Sequence, residues 1–226
     1  AMMGELTDIL LWLKAMDTFV FLMVNGHHNA YFDSVMWLIS DKWVWLPMYV
    51  SLLYVLLKNY SYKAVFSILI AIGLIILFTD CFTSQIVRPW IGRLRPSNLD
   101  NPVSKIVHIV DGYRGGAYGF PSNHASNTWG LTFFVTFLFR RWRLALFFCF
   151  WALLTCYSRM YLGVHYFGDI LIGCLFALVG ASVSYVLFRK LSGNPHVEKL
   201  KGIYIPMWTG GITILIIMIV SIFYHV

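Results

Sequence analysis

Long apolar runs separated by short polar connections are the dominant pattern of this chain. A bilayer core about 30 Å thick requires about 20 apolar residues per helix, and only helices and closed barrels satisfy every backbone polar group in lipid. The runs are continuous rather than alternating, which favours helices over barrel strands. We predict six membrane helices, several of which need flanking residues to complete the span: 43–57, 65–83, 125–139, 144–157, 166–188 and 203–224.

Residues 5–40 have a different pattern, because charged side chains interrupt the apolar positions at helix-like spacing: Glu5, Asp8, Lys14 and Asp17. This pattern favours an amphipathic helix lying in the membrane interface, followed by a short helix at 32–39. A poor first span over 10–24 is the alternative. The sequence NGHHN at 25–29 is a turn signal.

Composition agrees with an all-α integral membrane protein that forms a single domain over 1–226. The 226 residues are 59% hydrophobic and 12% charged, which is too apolar for a soluble domain of this size. The predicted helical core covers 43–188, with a further span at 203–224. The glycine-containing connection at 97–119 is long enough to act as a lid.

The four cysteines lie in or beside apolar runs and form no CxxC pair: Cys81, Cys149, Cys156 and Cys174. We interpret them as small buried apolar residues rather than as disulfide or metal ligands.

Basic residues concentrate in three connections that alternation of the spans places on one face. They are Lys58, Lys63, Arg140, Arg141, Arg143, Arg189, Lys190, Lys199 and Lys201. The positive-inside rule makes this face cytoplasmic, so the other connections face the periplasm if the protein lies in an inner membrane. The net charge of +7 is divided among loops, which favours lipid headgroups or phosphates over nucleic acid as partners.

Three polar clusters fall on the opposite face although they are far apart in sequence. The stretch RPWIGRLRP contains Arg88, Arg95 and Pro96. The stretch PSNH occupies 121–124, and SRMYLGVHYFGD begins at Ser158. A charge at a membrane boundary is costly and usually functional, and this concentration predicts one polar site.

The residue types in these clusters suit phosphoryl chemistry. The arginines offer planar forks of donors that match phosphate oxygens. His165 and Asp169 are four apart and share a helix face, so the carboxylate can orient the imidazole as a nucleophile. His124 can supply a proton to the leaving group, and a helix starting near Ser122 points N–H groups at an anion. Each residue alone fits a lipid-headgroup or interface role, whereas the combination favours catalysis.

The full pattern, basic-x6-Arg-Pro, Pro-Ser-x-His and Ser-Arg-x5-His-x3-Asp, resembles the type 2 phosphatidic acid phosphatase superfamily over 88–169. The resemblance implies that His165 attacks phosphorus and forms a phosphohistidine with help from Asp169. It also implies that His124 protonates the departing oxygen and then activates water.

By the same resemblance, the phosphate is held by Arg88, Arg95, Ser122, Asn123 and Arg159, with Pro96 and Ser158 in supporting positions. Two residues depart from the family pattern. Arg88 stands where the family usually has Lys, which keeps the charge. Asn123 stands where the family usually has Gly, which puts a side chain where backbone usually meets phosphate.

The resemblance implies hydrolysis of a lipid phosphate or pyrophosphate without metal or other cofactor. An outward-facing site favours undecaprenyl diphosphate or a lipid A phosphate. A phosphatidylglycerophosphate or phosphatidate phosphatase is the alternative, as is a non-catalytic lipid-binding or transport protein. Haloperoxidases with a similar pocket are soluble, which this chain is not. The oligomeric state is left open.

Several further polar residues receive structural interpretations. Asp80 lies eight residues before Arg88, so on a continued helix the two share nearly one face, and we expect a structural pair that holds Arg88. We expect Gln85 and Arg93 to be interface residues. The remaining polar residues of the turns and loops are expected to be solvated: His27, His28, His108, Asp111 and Arg114. Contact of His108, Asp111 and Arg114 with the substrate headgroup is the alternative.

Overall fold

The structure, a computed structural model, describes residues 2–193, 195, 197 and 199–226. The domain predicted over 1–226 also includes residues 1, 194, 196 and 198, which lie outside the described residues. Helices dominate the described chain, which contains no β-strand beyond an isolated bridge, so the all-α prediction is confirmed. The helices are α1 Met2–Asn25, α2 Ala30–Ser40, α3 Leu46–Asn59, α4 Tyr62–Leu77, α5 Arg88–Ile91, α6 Asn123–Phe139, α7 Trp142–Tyr161, α8 Phe167–Leu191 and α9 Ile205–Val220.

Local sequence signals explain several helix starts. Asn29, Ser61 and Ser122 cap α2, α4 and α6 by accepting a hydrogen bond from a backbone N–H in the first turn. Pro47 and Pro206 occupy the first turns of α3 and α9, where the missing N–H leaves no helical bond unmade. These caps place the polar N-terminus of α6 where the predicted site begins.

The segment from α4 to α5 forms one continuous helical element, Tyr62–Ile91, because a π-helical stretch at Phe78–Val87 joins the two helices. The predicted span at 65–83 therefore continues beyond its apolar run. This extension carries Asp80 and Arg88 toward one end of the bundle.

Three helices are long and apolar enough to cross a membrane: Tyr62–Ile91, Trp142–Tyr161 and Phe167–Leu191. The pair Gly4–Asn25 and Ala30–Ser40 would count as a fourth span, although it bends by 113°. Each of the other predicted runs coincides with a helix, but α3, α6 and α9 have only 14, 17 and 16 residues. The count of six spans therefore stays a prediction.

The connections gather at two ends of the bundle. At one end, Asn59 exchanges hydrogen bonds of 2.9 and 2.6 Å with the backbone of Lys201, and the Tyr60 ring lies 6.4 Å from that of Phe139. The other end brings together residues 88–95, 121–124 and 159–169. With α4 and α5 taken as one element, the helices from α3 to α9 therefore run alternately between a basic end and a polar end, as the order of spans and connections predicts.

The core contains large aromatic side chains, and the periphery is apolar. Trp45 and Trp151 are fully buried and meet edge to face at 5.8 Å. Large apolar side chains are exposed along the outer faces of α4, α8 and α9, for example Leu74, Leu175 and Ile216. An apolar belt of this extent is typical of a surface that lipid covers. Of the four cysteines, Cys156 alone is buried, Cys81 is exposed, and all four are free thiols.

Helix α1 runs across the polar end of the bundle. Asp17 accepts a hydrogen bond from the Gly168 N–H at 2.8 Å, and Asn25 donates to the Tyr161 carbonyl at 2.8 Å. Gly168 begins α8 and Tyr161 ends α7, so the second half of α1 crosses both helix ends. This placement supports the interfacial interpretation, which stays a prediction because the bent pair also fits a broken span.

Candidate active site

The three polar clusters meet at one end of the bundle through hydrogen bonds. Ser122 donates its N–H to the Asp169 carbonyl at 2.9 Å, which joins the starts of α6 and α8. Arg88 donates to the Pro121 carbonyl at 3.1 and 2.9 Å, and Arg95 donates to the Val164 carbonyl at 2.9 Å. Side chains separated by up to 81 positions along the sequence therefore line one site.

His165, Asp169 and Arg95 form the buried centre of this site. His165 Nδ1 lies 3.5 Å from Asp169 Oδ2, and Arg95 Nη1 lies 2.8 Å from His165 Nε2. A guanidinium can only donate, so Nε2 accepts this hydrogen bond and the ring proton of the neutral imidazole sits on Nδ1, facing Asp169. In this tautomer Nε2 carries the free lone pair of the ring.

Burial and charge keep the imidazole neutral. Burial, followed by the positive charges of Arg95, Arg159 and Arg88, lowers the pKa of His165 well below its ordinary value. Burial and the neighbouring arginines also lower the pKa of Arg95, to about 10, so it remains charged at neutral pH. A neutral imidazole beside fixed positive charge suits attack on an anionic phosphate.

Arg88, Arg95 and Arg159 bring positive charge to the site without a carboxylate of the described residues in direct contact. Within the described part of the chain, none of the three forms an ion pair. The buried Nε atoms of Arg95 and Arg159 also have no hydrogen-bond partner in this region. Leaving a buried charged donor unsatisfied costs several kcal/mol, or roughly 1–3 for a neutral one. An anion with several acceptor oxygens, such as phosphate, would satisfy these donors.

The start of α6 forms another wall of the site. Ser122 is fully buried, and its hydroxyl accepts from the Ala125 N–H at 3.3 Å, so this side chain acts as the helix cap. The N–H groups of Asn123 and His124 belong to the first turn, where helix geometry supplies no internal acceptor. These groups can donate to a bound anion.

The side chain of Asn123 points toward Arg88. Its Oδ1 accepts hydrogen bonds from Arg88 Nη2 at 3.0 Å and from Thr83 Oγ1 at 2.7 Å. A glycine at this position could make neither bond. The two residues that depart from the family pattern are therefore in contact, since Asn123 holds Arg88, the arginine that stands in place of lysine.

Arg93 and Asp17 belong to the site, although the sequence analysis assigned them no role there. Arg93 Nη1 donates to Asp169 Oδ1 at 2.9 Å, and Arg93 Nη2 donates to Asp17 Oδ2 at 2.6 Å. The guanidinium also stacks 4.2 Å from the ring of Tyr166. A signal for Asp17 existed, because an ionisable residue within an apolar run is a functional candidate by default.

The connection at 97–119 lies over the site. Tyr113 accepts a hydrogen bond from Arg159 at 3.2 Å, and Ser40 accepts another from the same guanidinium. The ideal Cβ position of Gly119 is 3.1 Å from Asp169 Oδ2 and 3.5 Å from His165 Nδ1, so a side chain there would crowd the centre. The function of the 97–119 connection as a lid stays a prediction.

Two hydrogen bonds join this connection to the segment that carries Arg95. The Arg95 N–H donates to the Ala117 carbonyl and the Gly119 N–H donates to the Arg93 carbonyl, both at 3.1 Å. The connection is therefore paired in register with the first motif.

The expectation that Asp80 holds Arg88 is wrong. Asp80 does not pair with Arg88, because its Oδ1 accepts from Asn127 at 3.1 Å while Arg88 bonds Pro121 and Asn123. Asn127 therefore binds the Asp80 carboxylate, whereas Pro121 and Asn123 bind the Arg88 guanidinium, and no direct pair forms between Asp80 and Arg88.

The two supporting residues have structural contacts. Ser158 is buried and donates to the Thr155 carbonyl at 2.6 Å, within its own helix. Pro96 is buried directly after Arg95. Of the loop residues expected to be solvated, Arg114 instead donates to the Ser97 carbonyl at 2.7 Å.

An apolar cavity of about 770 Å³ extends from the site into the bundle. Asn123 and His124 line its polar mouth. Its walls come from the helices α3, α4, α6 and α7, and they include Leu52, Leu56, Ile72, Ile75 and Trp151. The cavity therefore joins the catalytic candidates to an apolar space of the kind that a hydrocarbon chain fills.

A family model described as the PAP2 superfamily matches residues 64–192. The chain belongs to the PAP2 superfamily. The PAP2 match contains all three motif clusters, and the resemblance inferred from them is confirmed. Asp17 and Ser40 lie before the matched residues, so the site also draws on segments outside the PAP2 region.

Two PAP2 relatives are lipid A 4'-phosphatases by name. The chain is 40% identical over 219 residues to the protein of Bacteroides thetaiotaomicron. This alignment covers 93% of this chain and 97% of that protein. It is 33% identical over 175 residues to the protein of Porphyromonas gingivalis. That alignment covers 75% of this chain and 71% of that protein.

A solved structure shares the PAP2 fold. The crystal structure of Aquifex aeolicus LpxE superposes with a TM-score of 0.54 at 19% identity, covering 74% of this chain and 93% of that chain. At this identity the likeness concerns the fold alone.

Proposed function

We propose that this protein is a membrane lipid phosphatase that removes the 4'-phosphate of lipid A. The observation that carries the proposal is the set of arginines without carboxylate partners around His165 Nε2. The choice of lipid is supported by the relatives named lipid A 4'-phosphatase, one of them aligned over 93% of this chain.

In the proposed first step, Arg88, Arg95, Arg159 and the first N–H groups of α6 bind the phosphate oxygens. Arg95 Nη1 transfers its hydrogen bond from His165 Nε2 to a phosphate oxygen, which frees the nitrogen lone pair. His165 Nε2 then attacks phosphorus, and the bond from phosphorus to the sugar oxygen breaks. His124, which takes up a proton from solvent once the bound phosphate dianion offsets the charge of the arginines, donates that proton to the oxygen. The imidazole becomes a phosphohistidine whose positive charge faces Asp169.

In the second step, His124 accepts a proton from water as the water oxygen attacks phosphorus. The phosphorus–nitrogen bond breaks, inorganic phosphate leaves, and His165 returns to its neutral form. Arginines and the helix N-terminus supply the positive charge that phosphoryl transfer requires, so the proposed route uses no metal ion. Asp169, held by Arg93, stabilises the positive imidazole in both steps.

We propose that six helices cross the inner membrane with the site at the periplasmic face. The basic end of the bundle supports this orientation through the positive-inside rule. The apolar cavity beside His124 would admit acyl chains of a lipid whose phosphate reaches the arginines. A lipid in the outer leaflet can place its phosphate at the arginines and its acyl chains in the cavity.

The test uses the purified protein, in EDTA, with lipid A that carries phosphates at positions 1 and 4'. We expect mass spectrometry to show loss of the 4'-phosphate. Undecaprenyl diphosphate, phosphatidate and phosphatidylglycerophosphate serve as comparison substrates. Faster release from any of these would overturn the lipid A assignment, and complete dependence on added metal would overturn the proposed route.

The nucleophile is tested by His165→Ala. We expect turnover to fall by at least about 1,000-fold, because the covalent step is lost while the phosphate-binding arginines remain. His27→Ala is the matched control, since His27 is exposed in the turn after α1 and its ring bonds the Met23 carbonyl, away from the site. Retained turnover in His165→Ala would show that another group attacks phosphorus.

A further inference from the structure

A second cluster of metal-ligating side chains lies outside the phosphate site. His28 comes from the turn between α1 and α2, Asp33 from the first turn of α2, and His108 from the 97–119 connection. One ligand atom of each lies within 4.8 Å of the others. We propose that His28, Asp33 and His108 bind a divalent transition metal, with zinc as the ion that fits them best.

The distances among these side chains suit a tetrahedral ion. His108 Nε2 lies 2.9 Å from Asp33 Oδ1, and the rings of His28 and His108 stack at 3.6 Å with an interplanar angle of 2°. Ligands at about 2.0–2.2 Å from zinc stand about 3.3–3.6 Å apart at tetrahedral angles. The ligand atoms of Asp33 and His108 are therefore close to zinc spacing, and the exposed His28 ring must turn out of its stack on His108 to direct a ring nitrogen at the same ion.

The ligands are held in place by further hydrogen bonds. Asp33 Oδ1 also accepts from the Tyr161 hydroxyl at 2.6 Å. Asn25 clamps the backbone of His108, accepting from its N–H at 2.8 Å and donating to its carbonyl at 3.0 Å. Such outer partners orient metal ligands and raise affinity, and here they come from both α1 and α7.

The donor atoms and the surroundings favour zinc over calcium or magnesium. Two imidazoles and one carboxylate are typical of zinc and other transition metals, whereas calcium and magnesium prefer oxygen ligands alone. Beside the cluster is a cavity of about 410 Å³ lined in part by His28, Tyr157 and Tyr161. Water molecules can occupy this space and complete the coordination shell.

The proposed metal joins the turn at the start of α2 to the 97–119 connection, two segments that are distant in sequence and adjacent in the structure. His108 lies five residues before Tyr113, which bonds Arg159 in the phosphate site. A metal at His108 therefore fixes the connection that covers the site to the turn at the start of α2. Its role is structural, because none of its ligands contacts the arginines or His165 in the described structure.

The test measures zinc binding by isothermal titration calorimetry to full-length protein freed of metal with chelator. We expect one zinc ion per chain, and absorption bands of a nitrogen- and oxygen-bound ion when Co²⁺ is used instead. His28→Ala should weaken zinc binding by at least about tenfold. The neighbouring His27→Ala should bind zinc as the wild type does, because His27 lies outside the cluster.

The measurements separate this site from the phosphate site. His124→Ala should retain zinc binding, and zinc should raise the melting temperature of the wild type but not of His28→Ala. The proposal fails if the wild type shows no saturable zinc binding, if His27→Ala and His28→Ala lose it equally, or if His124→Ala abolishes it. None of these outcomes depends on which lipid the protein hydrolyses.

Discussion

At the scale of residues, the site depends on an unequal distribution of charge among four arginines. Arg93 forms direct ion pairs with Asp17 and Asp169, whereas among the described residues Arg88 and Arg95 form none. Asp169 is thereby fixed beside His165, and the other guanidiniums keep their charge for an anion. Asp17 consequently acts on the nucleophile through two intervening side chains.

We predict that Asp17→Asn lowers kcat by about 10- to 100-fold with little change in KM, because Asp17 positions Asp169 but does not reach the phosphate. Steady-state phosphate release measures both constants. Asp8→Asn, exposed on the same helix, is the matched control. A rise in KM without a fall in kcat would contradict the positioning role, and equal effects of the two variants would show a general effect on α1.

The depressed pKa of His165 predicts a dependence of stability on pH. In the unfolded chain this histidine takes up a proton below about pH 6.5, whereas in the folded protein it stays neutral, so falling pH favours unfolding. By pH 5.5 the wild type loses about 1.4 kcal/mol of unfolding free energy that His165→Gln does not lose. Melting temperatures of both proteins at pH 7.5 and 5.5 measure this difference. A constant difference would mean that the folded imidazole protonates normally.

At the scale of elements, the contact between α6 and α8 decides where the motifs meet. The ideal Cβ position of Gly173 lies 2.6 Å from the Ser122 carbonyl, so α8 approaches the backbone at the start of α6. The same contact region contains the hydrogen bond from Ser122 N–H to the Asp169 carbonyl. Close approach of the two helices therefore sets the position of the first turn of α6 relative to His165.

We predict that Gly173→Ala destabilises the protein by about 1–3 kcal/mol and lowers activity, because backbone atoms cannot move aside as a flexible side chain would. Gly73→Ala is the control within another helix, since its Cβ would meet nothing within 4 Å. That variant should be neutral or more stable by up to about 1 kcal/mol. Thermal unfolding in detergent and phosphate release compare them. Equal behaviour of the two variants would contradict the close contact.

At the scale of the whole molecule, the chain separates its basic connections from its site. Arg140 and Arg189 lie with Tyr60 around one cavity at the basic end, whereas Arg95 and Arg159 lie at the other. The positive charge of the basic end and the positive charge of the candidate site therefore lie at opposite ends of the bundle. This separation is the physical basis of the orientation.

We predict that a reporter fused after Val226 lies outside the cytoplasm, because α9 ends beside α2, where the Val226 N–H donates to Ser34 at 3.3 Å. Alkaline phosphatase should be active at this position and inactive when fused after Lys201. Green fluorescent protein should show the opposite pattern. Reversed activities would place the site on the cytoplasmic side and overturn the proposed orientation.

The sequence by itself determined the helical class, the family and the principal site candidates. Continuous apolar runs leave few alternatives to helices, and the motif spacing with His165 and Asp169 on one face is a local property of the chain. Charge counts in the connections likewise depend only on chain order. These inferences need no knowledge of which helices touch.

The tertiary structure alone decided the partners of Asp17, Arg93, Asn123 and Asp80. The first two meet across 76 positions of sequence, and the expected pair of Asp80 with Arg88 is replaced by contacts of Asp80 with Asn127 and of Arg88 with Pro121 and Asn123. Contacts of this kind depend on how helices cross and on where a helix departs from 3.6 residues per turn. Residue spacing within one segment predicts neither property, because both result from packing among side chains that are distant in the sequence.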